Sequence, residues 1–166
     1  MTTHIYTTTP PSLLRKKRTN ELKCILISSD GMESMACNWL RDKEITQFDE
    51  KETITTCEEA IAKLDSLVVE SHNRKELLAN SKVSNIDDYN ALDGRFGQVM
   101  LYIVVVIEEL ADFITKAGQL IETPIVRLAQ YAQQVGIHIV LSTEHPTVDV
   151  ITGVIKMSMS KHICIR

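Results

Sequence analysis

The sequence is short of glycine and proline, with six and four among 166 residues, and aromatic residues make up only 5%. So little glycine and proline excludes a collagen-like or linker-like chain and favours long regular elements. So few aromatics argue against a stacking platform for single-stranded bases. Positive charge is not in excess either: 18 Lys and Arg stand against 22 Asp and Glu, a formal net charge of −4. A strongly basic nucleic-acid binder is excluded, so any DNA contact has to come from a local patch or from a larger assembly.

Cys24, Cys37, Cys57 and Cys164 show no C-x-x-C spacing and no adjacent histidine pair. That pattern argues against zinc and, at this size, against a disulfide framework; buried reduced thiols are the expectation. The N-terminus, MTTHIYTTTPP, has neither a basic start nor an apolar stretch, so it does not read as a signal peptide. The longest apolar run, Tyr102 to Ile107, is far short of a membrane span. A cytoplasmic protein is expected.

What is present is an ordinary globular balance, 44% hydrophobic and 24% charged, at a length that suits one domain. Residues 1–11 are threonine-rich, end in Pro10-Pro11 and read as a poorly ordered arm. The basic tetrapeptide Arg15-Lys16-Lys17-Arg18 reads either as a nucleic-acid patch or as a solvated helix end whose cations suit the helix dipole. Leu22–Ile27 predicts a short buried strand ending in the turn-like Ser28-Ser29-Asp30-Gly31. Met32 to Glu52 resists assignment, and Thr53–Thr56 suggests a short strand. Ile61, Leu64, Leu67, Val68, Leu77 and Leu78 recur at helical spacing and predict a long amphipathic helix from about Glu58 to Ala79, starting near Thr56. A short helix is expected around residues 85–90.

Tyr102–Ile107 has no polar alternation, the pattern of a strand buried on both faces in a parallel sheet. Thr123-Pro124 signals a helix start, a stripe from Ile125 to Val135 continues it, and Gly136 is a well-placed stop. Ile137–Ser142 is a second buried strand, Val148–Lys156 a short helix and His162–Ile165 a last strand. Strands alternating with helices predict an α/β fold with a mostly parallel sheet.

Two acids, Glu108 and Glu109, directly follow the first buried run, and Glu144-His145 follow the second. Ligands of parallel α/β sheets collect beyond the carboxyl ends of strands. An apolar strand ending in two acids has the shape of a Walker B element, in which one acid serves a magnesium ion and the next the attacking water. Acids that simply open a helix, at the positive end of its dipole, give the same pattern. No G-x-x-x-x-G-K-[ST] loop exists in the chain, and none of its six glycines precedes a lysine. The loop that would cradle a triphosphate is therefore absent from this sequence.

Several segments carry a resemblance. YIVVVIEELADFITKAG (102–118) resembles the Walker B strand and following segment of the FtsK/SpoIIIE DNA translocases. TPIVRLAQYAQQVGIHIVLSTEHPTVDVITGVIK (123–156) resembles that family's next helix, strand and signature loop, with Arg-Leu-Ala-Gln, Gly-Ile-His and Val-Asp-Val-Ile-Thr-Gly its most specific stretches. SLLRKKRTNELKCILI (12–27), the helix with Leu64-Asp65-Ser66-Leu67 and, more weakly, VSNIDDYN (83–90) match as well, so the resemblance covers about residues 12–166. It implies a RecA-like P-loop-NTPase type of sheet, incomplete because the P-loop strand is missing. In the family that strand is expected centrally, between the strands ending at Glu108 and Ser142. The resemblance also implies ATP and Mg²⁺ as cofactors, with double-stranded DNA and a hexameric ring of like chains as partners.

The same resemblance assigns residues. Glu109 stands at the catalytic, water-polarising position and Glu108 at the metal position, where the family has aspartate. Glu144 stands where a glutamine senses nucleotide, and Gln133 where an arginine reaches a neighbouring subunit's nucleotide. His145 replaces a DNA-facing arginine, while Lys156 keeps a DNA-facing lysine. Ser28-Ser29-Asp30 replaces an Asp-Pro-Lys. These departures fall on nucleotide chemistry and spare the packing signature. His138 lies on a buried strand, and a satisfied core histidine is weighed there against a ligand. The implied function is a segment of an ATP-dependent DNA translocase motor that does not hydrolyse ATP by itself. The alternatives are a non-catalytic interaction or ring-assembly module, and a stand-alone DNA binder using Arg15–Arg18, Lys156 and Lys161.

Overall fold

The computed structural model describes residues 1–8, 22–32, 35–43, 45, 50–92 and 99–166. The basic tetrapeptide at 15–18 lies outside the described residues. Among them, six strands form one sheet: β1 (Thr3–Thr7), β2 (Leu22–Ile27), β3 (Glu50–Ile54), β4 (Tyr102–Ile107), β5 (Ile137–Thr143) and β6 (Lys161–Ile165). Their spatial order is β3-β2-β4-β5-β1-β6. The helices are α1 (Met35–Asp42), α2 (Cys57–Asn80), α3 (Ile86–Asn90), α4 (Leu110–Ala117), α5 (Gln119–Tyr131) and α6 (Gly153–Ser158).

The pattern of apolar residues explains the centre of the sheet. Every residue of β4 and β5 is buried. Their side chains serve both faces of a sheet covered by helices, which is why neither strand alternates with polar residues. Ile25, Ile27, Val105, Ile107, Ile139 and Leu141 point to the layer of α2, α4 and α5. Cys24, Leu26, Val104, Val106 and Val140 point to the opposite layer, closed by Ala36, Trp39 and Leu40 of α1. The long amphipathic helix forms as its spacing predicts, with the Thr56 side chain accepting from the Glu59 N–H at 3.3 Å as N-cap.

Three expectations change. The N-terminal residues do not form a loose arm: Thr3–Thr7 is a sheet strand, with Ile5 fully buried. It pairs antiparallel with both β5 and β6, and the Thr8 hydroxyl accepts from the Ile139 N–H at 3.0 Å. Second, no gap separates the strands ending at Glu108 and Ser142, because β4 and β5 pair directly and in parallel from Ile103↔Ile137 to Ile107↔Leu141. The additional strand lies instead on the far side of β5, where β1 closes an edge that would otherwise be exposed. The sheet is thus parallel from β3 to β5 and mixed beyond it.

The third change is in the helices after β4. Leu110–Ala117, to which the spacing assigns no element, is helix α4. Helix α5 starts at Gln119 rather than at Thr123, after Gly118 turns the chain with φ of +52°. Pro124 therefore lies inside α5, where it is buried among the core residues of that helix. The short helix expected at 148–156 forms later, over Gly153–Ser158, because the Thr152 hydroxyl caps it by accepting from the Ile155 N–H at 3.3 Å.

Candidate functional site

The carboxyl ends of β2, β4 and β5 open into a cavity of about 260 Å³. Its lining includes Ser28, Ser29 and Asp30 after β2, Glu108, Glu109 and Asp112 after β4, and Ser142 and Glu144 at the end of β5. Three of the acids singled out in the sequence thus converge, as strand-end positions in a parallel sheet should. Gln133, His145 and Lys156 do not line the cavity. The Gln133 amide donates to the Ala129 carbonyl at 3.3 Å, and His145 and Lys156 are exposed on the segment after β5 and on α6. His138 is buried on β5 with its ring stacked on Tyr102.

Glu108 is 3% exposed. Its Oε1 accepts from the N–H groups of Ala36 and Cys37, each at 3.1 Å, at the first turn of α1. Its Oε2 accepts from the Ser142 hydroxyl at 2.6 Å. A carboxylate at a helix N-terminus satisfies N–H groups that have no partner within the helix and sits at the positive end of its dipole. Glu108 therefore ties α1 to the ends of β4 and β5. The neighbouring Cys37 thiol is pushed up to about 12 by burial and then by the Glu108 charge, and burial alone does the same to Cys24.

Glu109 takes a left-handed backbone, φ 47° and ψ 72°, which a side-chain-bearing residue adopts only where the surroundings enforce it. The Thr143 hydroxyl donates to its Oε1 at 2.7 Å, and the Glu144 N–H donates to its Oε2 at 2.9 Å. The side chain is thus turned toward the end of β5 and makes no cap for α4. The backbone N–H of Glu144 satisfies Glu109 while its own carboxylate adds a further negative charge to the cavity wall.

Two more acids complete the wall: Asp30, marked in the sequence only as part of the turn after β2, and Asp112, which carries no signal there. The Asp30 carboxylate accepts from the Ser28 hydroxyl at 2.7 Å and from the Met32 N–H at 2.8 Å, and these bonds hold it below the usual carboxylate range. Asp112 accepts from the Ser29 hydroxyl at 2.7 Å. Only the pairing of β2 with β4 brings these residues together. Among the described residues that line the cavity, five are carboxylic acids and none is a lysine or arginine.

These groups do not fit a nucleotide triphosphate and its magnesium. The wall would repel phosphate, and no phosphate-cradling loop is in the sequence. Both Glu108 oxygens already accept hydrogen bonds, and no trio of ligand atoms close enough to hold an ion forms around it among the described residues.

The FtsK/SpoIIIE family model matches residues 11–148. The chain belongs to the FtsK/SpoIIIE family. It is 39% identical over 158 residues to the DNA translocase FtsK of Chlorobaculum tepidum, covering 93% of this chain and 19% of that protein. It is 37% identical over 154 residues to the DNA translocase SftA of Bacillus subtilis, covering 92% of this chain and 16% of that one. The chain thus spans less than a fifth of the length of these relatives. Among solved structures, it superposes on the pCW3 conjugation coupling protein TcpA, determined with ATPγS, at a TM-score of 0.66 and 27% identity, covering 89% of this chain and 40% of TcpA. The EssC protein of Geobacillus thermodenitrificans, described by its ATPases 2 and 3, shares the fold at a TM-score of 0.59 and 19% identity, over 89% of this chain and 26% of EssC. The expected fold class is borne out, and so is the family. No helix among the described residues is long and apolar enough to cross a membrane.

Proposed function

We propose that this chain is a cytoplasmic segment of an FtsK/SpoIIIE-type, ATP-dependent double-stranded-DNA translocase motor, acting in chromosome segregation, and that it does not hydrolyse ATP by itself. The observation that carries this reading is the cavity at the strand ends. It stands where a motor of this family would hold nucleotide, yet five carboxylates and no cation line it among the described residues. Phosphate there would meet only like charge, and the strand-end acids are already satisfied by hydroxyl and backbone N–H groups. ATP and Mg²⁺, which the family implies, would be held in the assembled motor by groups outside this chain, because both Glu109 oxygens are already taken by the Thr143 hydroxyl and the Glu144 N–H. Glu144, Gln133 and Glu108 then mark positions where the chemistry has been altered.

Family membership supports DNA as the partner and a ring of like chains as the assembly. Lys156, exposed on α6, and His145, exposed after β5, are the proposed DNA contacts. A second reading is favoured by one specific observation: Glu108 docks the first turn of α1, a structural use of an acid the motor would need for metal. In that reading the chain is a non-catalytic interaction or ring-assembly module.

Steady-state ATPase assays and calorimetry on the purified chain test the proposal. The expected outcome is no turnover and no Mg²⁺-dependent ATP binding. Turnover that Glu109→Gln abolishes would overturn it. Tight Mg²⁺-dependent ATP binding without turnover would exclude the second reading and would equally overturn the reading of the acidic cavity as unable to hold nucleotide.

A further inference from the structure

Away from the acidic cavity, the pairing of β1 with β6 places His4 opposite Cys164 and Tyr6 opposite His162. Directly opposite and diagonal residues on one face of an antiparallel pair lie within side-chain reach. His4 Nδ1 is 3.0 Å from His162 Nε2, Cys164 Sγ is 3.4 Å from His4 Nδ1, and Cys164 Sγ is 3.6 Å from His162 Nε2. Two imidazole nitrogens and one sulfur thus form a closed triangle, with all three atoms within 4.8 Å of one another. His4 is half-buried, and His162 and Cys164 are exposed.

We propose that His4, His162 and Cys164 form a binding site for a zinc-class transition-metal ion, with a fourth coordination position open to solvent or to a partner's ligand. Zinc takes nitrogen at about 2.0–2.1 Å and thiolate sulfur at about 2.3 Å in a tetrahedron. Those bond lengths place ligand atoms about 3.4 Å apart for two nitrogens and about 3.6 Å apart for nitrogen and sulfur. Both sulfur edges of the triangle already match, and the nitrogen pair has to open by only a few tenths of an ångström. The set of one soft thiolate and two imidazoles suits zinc and copper over the hard cations, which take oxygen.

The surroundings hold the rings in place. The His162 ring lies flat on Tyr6, 4.3 Å between centroids and 2° from parallel, and Tyr6 is itself buried in the core. The His4 and His162 rings stack at 17° with centroids 5.2 Å apart. The metal would join residue 4 to residues 162 and 164, and so fasten the first strand to the last. Cysteine and histidine spacing argues against zinc because the ligands are 158 residues apart in sequence, and only the β1–β6 register unites them.

The site is tested by titrating Zn²⁺ and Co²⁺ into the reduced, chelator-treated chain. The expected result is one zinc per chain, and a cobalt form with tetrahedral visible bands and a thiolate-to-cobalt charge-transfer band. Cys164→Ser removes the charge-transfer band and weakens zinc at least tenfold, as loss of a first ligand should. His4→Asn weakens zinc at least tenfold but keeps the band. Zinc raises the thermal midpoint of the unaltered chain and not that of Cys164→Ser. A six-coordinate cobalt spectrum without the sulfur band would show that the trio is only a hydrogen-bonded cluster. Zinc binding unchanged by both substitutions, or a band that depends on Cys57, would equally overturn the site.

Discussion

At the scale of single residues, the acids around the strand ends divide by what holds them. Glu108 is an acceptor for buried backbone donors, and a metal-binding acid and a structural one respond oppositely to removal. A carboxylate kept in place for a ligand is a source of repulsion without it, so its loss stabilises. A carboxylate that satisfies two helix N–H groups leaves them unpaired when it goes, at about 1–3 kcal/mol for each buried orphan. Urea unfolding of Glu108→Ala is therefore expected to show a loss of at least about 2 kcal/mol. Unchanged or increased stability would return Glu108 to the metal. Asp30 offers a pH test of the same wall. The Ser28 hydroxyl, then the Met32 N–H, lower its native value below that of the unfolded chain. Its contribution is therefore present at neutral pH and is lost as pH falls from the ordinary carboxylate value through the lowered one. In Ser28→Ala the Asp30 titration followed by NMR is expected to move upward, and an unmoved curve would discard the hydrogen bond as the cause.

Among the elements, β1 is the one whose sequence says least and whose position matters most. Thr-His-Ile-Tyr-Thr is five residues long, and its value as a strand comes from two neighbours more than 130 residues away. Deleting residues 1–8 is expected to bare the β5 edge, whose seven residues are all buried, and to add concentration-dependent association in sedimentation that the full chain does not show. Unchanged sedimentation and unfolding of the truncated chain would show that β1 is dispensable. The strands β4 and β5 are legible because short runs rich in β-branched residues and without polar alternation have few other uses, whereas β1 is not, because long-range pairing leaves no local periodicity. The start of helix α5 is hidden for a related reason: Thr123-Pro124 is a sound local start signal, but Gly118 turns the chain five residues before Thr123 and packing carries the helix through the proline. The strand-end acids Glu108, Glu109 and Glu144 were legible from topology alone. Asp30, Asp112 and the His4–His162–Cys164 trio depend on which strands pair, and sequence distance conceals that.

For the whole molecule, electrostatics set how DNA can be met. The chain carries a net charge of −4, and its strand-end cavity concentrates acids on one side. Duplex DNA would be repelled from that side, so contact has to come through exposed cations elsewhere, of which Lys156 on α6 is the one the family resemblance singles out. A lysine that meets a phosphate releases condensed counterions, and the logarithm of affinity then falls with the logarithm of salt by about 0.9 for each such contact. Binding of the isolated chain to duplex DNA, followed by fluorescence anisotropy, is accordingly expected only at low salt and with a steep salt dependence. Lys156→Ala should weaken all duplex sequences alike and flatten the slope by about 0.9, because a phosphate contact positions without reading bases. A slope unchanged by the substitution would remove Lys156 from the interface. A loss confined to particular sequences would instead make Lys156 a reader of base edges, a role that a single cation on an acidic chain can take only if neighbouring chains supply the backbone grip.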